Sequence, residues 1–139
     1  MVPLKIIEET LNKELKEQIH EGFREHALTT VDSHGNIRHV TLTVRENDHL
    51  VGALYGKTFW GGLHIKNLYV ISKMRGQGIG SGLLQYACDW GFKQGCRFAF
   101  VETLNFQGVD FYKSHGFIEE YVRIGYDKGV SFHYLRKDF

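Results

Sequence analysis

Proline and cysteine are scarce in this chain: among 139 residues there is one proline, Pro3, and two cysteines, Cys88 and Cys96. Neither thiol has zinc-ligand neighbours, so a disulfide-stapled secreted scaffold and a zinc ribbon are both excluded, and a reduced, structural role is expected for each. Long apolar runs are missing too, and Met1-Val2-Pro3-Leu4-Lys5 leads into a charged segment. Neither a membrane span nor a signal-like leader is expected, which favours the cytoplasm. Charge of one sign is also lacking: 17 Lys and Arg stand against 16 Asp and Glu, interleaved, for a net charge of +1. That balance argues against a nucleic-acid-binding stripe and a polybasic membrane anchor. The eight histidines form no His-x-x-x-His helix and no Cys/His ligand spacing, so no metal site is expected.

Aromatic and apolar residues are plentiful. With 42% hydrophobic content, ten Phe, seven Tyr and two Trp, the chain can bury one core, and residues 1–139 are expected to form a single domain. Periodicity gives an alternating layout. Residues 4–8 read as a strand, and residues 11–26 as a helix with Leu11, Leu15, Ile19 and Phe23 recurring every fourth position. Residues 37–45 and 50–58 alternate like strands around a polar turn, Glu46-Asn47-Asp48-His49. Residues 63–71 form the next strand, 79–92 an amphipathic helix, 97–103 a strand and 106–114 a short helix. Residues 117–126 and 131–136 then flank the hairpin signal Asp127-Lys128-Gly129. This order implies an α/β fold with a mixed sheet and helices on its faces.

The most informative stretch joins the strand at 63–71 to the helix at 79–92: Arg75-Gly76-Gln77-Gly78-Ile79-Gly80-Ser81. The first amides of a helix have no intrahelical partner and carry roughly half a positive charge between them, a natural seat for phosphate. Glycines 76, 78 and 80 let a diphosphate approach the backbone, and Arg75 adds a permanent cation. Two familiar phosphate loops do not fit. A Walker loop needs Lys and then Ser or Thr after its last glycine, where this chain has Ser81-Gly82; a dinucleotide fingerprint needs glycine at 81 or 83, occupied by Ser81 and Leu83.

A second motif follows the strand at 97–103: Asn105-Phe106-Gln107-Gly108-Val109-Asp110-Phe111-Tyr112-Lys113-Ser114-His115-Gly116-Phe117. Asn105 is a good helix N-cap and Gly116 a good helix stop. Together the two segments resemble the Arg-x-x-Gly-x-Gly loop and the Asn-x-x-Ala-x-x-Phe-Tyr-x-x-x-Gly-Phe motif of the GNAT superfamily of N-acetyltransferases, with Gly108 replacing the usual alanine. The resemblance runs from about residue 37 onward, and is strongest to compact bacterial members whose acceptors are often unassigned.

The resemblance implies a GNAT-like acyl-CoA N-acyltransferase fold with a central mixed sheet of about seven strands. It also implies a splay between the strands at 63–71 and 97–103, where the pantetheine arm of acetyl-CoA pairs with backbone groups of Leu68, Tyr69 and Val70. The diphosphate would rest on Arg75, Gly76, Gln77, Gly78, Ile79, Gly80 and Ser81, and Asn105 would orient the pantetheine or the acceptor. Many relatives dimerise, so a homodimer is among the expectations.

Direct transfer from a thioester to an amine needs neither metal nor covalent intermediate, but the leaving thiolate needs a proton or hydrogen bond. Tyr112, with an ordinary pKa near ~10, is the candidate acid. An acceptor amine with pKa near ~10.4 needs a base at neutral pH. Glu102, at the end of the strand leading to Asn105, and His64, on the preceding strand, compete for that role. A non-catalytic acyl-CoA-binding module is the alternative from another class.

Overall fold

The computed structural model describes residues 3–33 and 35–139. The chain divides into two units, Met1–Gly35 and Asn36–Phe139.

The first unit holds one helix, α1 (Lys13–Val31). Its start follows from local chemistry: Asn12 Oδ1 accepts the otherwise orphaned amide of Leu15 at 2.8 Å. Lys13 and Glu17 face each other one turn apart, as do Glu21 and Arg24. Asp32, at φ 56°, turns the chain out in the left-handed region. The helix therefore runs longer than the expected 11–26. Residues 4–8 form no strand, which corrects the expectation. Among the described residues this unit contains no strand to pair with, and an unpaired strand leaves its whole hydrogen-bonding edge unsatisfied.

The second unit carries β1 (His39–Glu46), β2 (His49–Phe59), β3 (Gly62–Val70), α2 (Ile79–Lys93), β4 (Phe98–Leu104), α3 (Val109–Ser114), β5 (Ile118–Arg123) and β6 (Phe132–Asp138). The strands form one six-stranded sheet in the order β1-β2-β3-β4-β6-β5, one strand fewer than expected because residues 4–8 do not join it. All neighbours are antiparallel except β3 and β4. The β1–β2 hairpin closes through Asn47 and Asp48 at φ 51° and 64°, the left-handed pair that a two-residue hairpin turn requires and that Asn and Asp tolerate best.

Strand alternation sends Leu54, Leu63, Ile65, Ala99, Val101 and Leu135 to one face, where all are buried. Leu83, Leu84, Ala87 and Cys88 on α2 complete that core, together with Tyr112 and Phe117. Covering β3 and β4 with α2 in this way is the usual solution for two parallel strands joined by a helical crossover. The opposite face presents His64, Phe100, Glu102 and Tyr134, which are only partly buried. The parallel crossover thus fixes one point of the sheet where a helix N-terminus, two strand ends and the start of α3 converge.

Candidate active site

The two parallel strands separate at that point. β3 and β4 are paired only over Gly62–Ile65 and Phe98–Val101, after which they diverge. The cause is local: against β2, Tyr55 pairs with Asn67 while Gly56 pairs with Ile65, so Lys66 is an extra residue that bulges β3. A bulge bends its strand and sharpens the twist. Gly56 makes it feasible, because a Cβ there would lie 2.3 Å from the His64 carbonyl oxygen. Beyond the bulge, Leu68, Tyr69 and Val70 remain registered with β2 on one side and border a cleft of about 640 Å³ on the other.

The glycine loop closes one end of this cleft. Gly78 caps α2 at φ 85° with no side chain satisfying the helix amides, and the Gly82 amide is the first to bond back, to Gly78 O at 2.9 Å. Ile79, Gly80 and Ser81 therefore occupy the first-turn positions whose amides have no helical acceptor. A Cβ at Gly76 or Gly78 would meet nothing within 4 Å, so the protein leaves open the space in front of these amides. Among the described residues, that open, uncapped helix start fits a diphosphate. Arg75 lines the cleft with its Nε tied to Val70 O at 2.9 Å, which holds the guanidinium against the loop. Gln77 belongs to the same turn but does not line the cleft.

Ser81 contributes differently from a phosphate-binding hydroxyl. His115 Nδ1 lies 2.8 Å from Phe111 O, and His115 Nε2 lies 2.8 Å from Ser81 Oγ. A carbonyl only accepts, so Nδ1 carries the proton; on a neutral ring Nε2 then accepts, and the Ser81 hydroxyl donates to it. The side chain locks α2 to the end of α3, and its backbone amide remains for the ligand. His115 escaped the sequence reading, although its place just before Gly116 in the second motif was the available signal.

Tyr112 lies on the far wall of the cleft. The residue is 5% exposed, its ring wedged edge-on between Phe111 and Phe117. Burial, aided by the nearby Cys88 thiol, pushes its pKa up to about 12. The hydroxyl is thus protonated at any ordinary pH.

The two competing bases prove to be partners. His64 Nε2 and Glu102 Oε2 are 2.6 Å apart, and the imidazole stacks on Phe100 at 4.4 Å with the rings 8° from parallel. Glu102 lines the cleft and His64 does not, so the carboxylate is the member offered to a ligand and the histidine lies behind it. Among the described residues, no cluster of three or more His, Cys, Asp or Glu is placed to hold a metal.

Asn105 departs from expectation. The N-cap of α3 is Gly108, whose amide donates to Thr103 Oγ1 at 3.1 Å. Residues 105–108 form a turn, and Asn105 instead clamps the approach to β6: its Oδ1 accepts from Ser131 N at 3.2 Å and its Nδ2 donates to Gly129 O at 3.4 Å. Asn105 does not line the cleft, whereas its neighbours Phe106 and Gln107 do.

Known proteins resemble this chain in sequence and fold. The profile of the acetyltransferase (GNAT) family matches residues 5–117. Acetyltransferase Atu2258 of Agrobacterium fabrum is 35% identical over 103 residues, covering 73% of this chain and 75% of the relative. Blasticidin-S acetyltransferase of Streptomyces morookaense is 33% identical over 101 residues, covering 72% and 74%. The crystal structure of an acetyltransferase from Bacillus cereus superposes with a TM-score of 0.83 at 28% identity, over 97% of this chain and 98% of that one. The chain belongs to the GNAT family and is an acetyl-CoA-dependent acyltransferase.

Proposed function

We propose that this protein moves an acetyl group from acetyl-CoA directly to a primary amine within a ternary complex, and that residues 1–139 act as one transferase domain. The family match at 5–117 runs through both structural units and supports the second statement. The observation that carries the first is the gap between β3 and β4, with the uncapped start of α2 at one end and Tyr112 and Glu102 on its walls.

In this reading the α2 amides and Arg75 take the diphosphate, and the pantetheine arm pairs with Leu68, Tyr69 and Val70. The thioester is thereby fixed where positioning supplies most of the rate. The amine nitrogen bonds to the carbonyl carbon, the C–S bond breaks, and the sulfur leaves with the electron pair. Presenting a lysine-like amine neutral at pH 7 costs about 4 to 5 kcal/mol. Glu102, oriented by His64, takes the ammonium proton before attack, and the second proton, which the nitrogen sheds as it becomes an amide, leaves through solvent. Tyr112 serves the thiolate. With its pKa about 12, against ~8.5 for a thiol such as cysteine, complete transfer of its proton is uphill by about 5 kcal/mol. Its contribution is therefore a hydrogen bond to the developing charge, with the proton supplied later through solvent.

One relative is named for acetylating blasticidin S, which supports a discrete compound rather than a protein chain as the acceptor. The free, buried thiols of Cys88 and Cys96 fit a reducing cytoplasmic setting.

The test is CoA release across a panel of primary amines, with Tyr112→Phe as control. A charge-assisted hydrogen bond of about 1.5 to 3 kcal/mol predicts a kcat loss of roughly 10- to 100-fold, with the KM for acetyl-CoA little changed. Unchanged kcat in the variant would remove Tyr112 from the mechanism. Tight acetyl-CoA binding with no release by any amine would favour a binding module.

A further inference from the structure

On the open face of the sheet, β4, β6 and β5 place Glu102, Tyr134 and Tyr121 in one row, since Glu102 pairs with Tyr134 and Tyr134 with Tyr121. Residues directly opposite on neighbouring strands point to the same face. Tyr134 is the middle of a run of rings: its centroid is 5.9 Å from that of Tyr121 and 5.3 Å from that of Phe132, which in turn lies 6.3 Å from Tyr126. The Arg123 guanidinium sits above this run, 5.5 Å from the Tyr134 centroid.

Arg123 has two attributes of a receptor. It is held over the face of Tyr134, and the neighbouring phenols, Tyr126 first among them, push its pKa further up. It is also uncommitted, because among the described residues the ion pairs of this unit join His64 to Glu102, Lys113 and His133 to Glu119, and Arg136 to Asp138. A guanidinium that is positioned but has no carboxylate partner presents a planar fork of donors suited to an oxyanion. Glu102, meanwhile, stands beside Tyr134 on the next strand and carries the opposite charge.

Resting on the transferase reading, we infer that the acceptor is zwitterionic: its amine docks at Glu102, its carboxylate at Arg123, and its carbon skeleton lies on Tyr134. The preference for such acceptors is a property of β5 and β6, not of the acetyl-CoA cleft. Arg123 would bind the part of the acceptor that does not react, so its loss would raise the acceptor KM and spare the KM for acetyl-CoA.

Matched pairs of acceptors test this: glycine against methylamine, β-alanine against ethylamine, γ-aminobutyrate against propylamine, and L-phenylalanine against phenethylamine. Each is assayed by CoA release with the intact chain and with Arg123→Gln. The expected result is that at least one acid exceeds its matched amine in kcat/KM by about 10-fold or more, and that Arg123→Gln removes this margin through KM. A margin that survives the substitution, or amines that outperform every acid, overturns the inference. Calorimetric titration of the same pairs into the CoA-bound protein separates the two claims. If no compound releases CoA but an acid binds and Arg123→Gln abolishes its binding, the subsite stands and the transferase reading falls. If neither release nor binding depends on the carboxylate, the subsite falls.

Discussion

His64 and Glu102 form a unit of unequal members. The carboxylate borders the cleft, while the imidazole, 2.6 Å away, is fixed by stacking on Phe100. A base that meets the amine is lost outright when neutralised, whereas a residue that only orients the base leaves the carboxylate in place. Glu102→Gln should therefore lower kcat/KM by about 10²-fold or more, and His64→Ala by a smaller factor of about 10. The two effects should not add in the double variant, because both act through one proton transfer. Steady-state kinetics of the three variants across pH decide this. Additive losses would mean that the residues work independently, and full activity of both Glu102→Gln and His64→Ala would leave solvent as the base.

Elements fix where these residues meet, and the critical one is the junction between β3 and α2. Gly78 sits at φ 85° with empty space where a Cβ would project, so alanine there meets no protein atom but must adopt a left-handed backbone at a cost of about 1 to 2 kcal/mol. It would also place a methyl group on the path of an incoming phosphate. Gly78→Ala should lower stability by about that amount and raise the KM for acetyl-CoA. Denaturant unfolding and kinetics measure the two separately, and an unchanged KM would move the diphosphate off this loop. The loop was legible in sequence because its glycine spacing encodes a local conformation, as was the β1–β2 turn through Asn47 and Asp48. Sheet order was not. Alternation identifies β6 as a strand but does not say that it inserts between β4 and β5. The same limit hid the His64–Glu102 contact, which joins positions 38 apart in the chain, and the ring of Tyr134 beside Glu102. Asn105 misled for the converse reason: its capping chemistry was real, but the donor it met was Ser131, in the segment leading into β6, rather than the first amides of α3. Residues 4–8 had strand-like composition without a strand to pair with.

The scale of the whole molecule enters through linkage between the cleft and the core, because Tyr112 belongs to both. Its phenol titrates near ~10 in an unfolded chain and at about 12 in the folded one. Below pH ~10 both states keep the proton and the folded state enjoys the full benefit of burying a neutral ring. Between pH 10 and 12 the unfolded state ionises first, so each unit of pH shifts the balance toward unfolding. Above the folded pKa both states are ionised and the contribution is gone, a loss on the order of 3 kcal/mol for a shift of two units. Burial also pushes the thiols of Cys88 and Cys96 up from 9.0, which adds to the same alkaline slope from its lower end. Phenylalanine at position 112 keeps the packing against Phe111 and Phe117 but has no proton to lose. Urea midpoints measured at pH 8.5 and pH 11 should therefore fall more steeply for the native chain than for Tyr112→Phe, the difference reporting the tyrosine and the remainder the thiols. Parallel slopes would mean that the Tyr112 hydroxyl is solvated like that of a free phenol. In that case it would also be a stronger acid toward the CoA thiolate, and complete proton transfer would replace the hydrogen bond assigned to it.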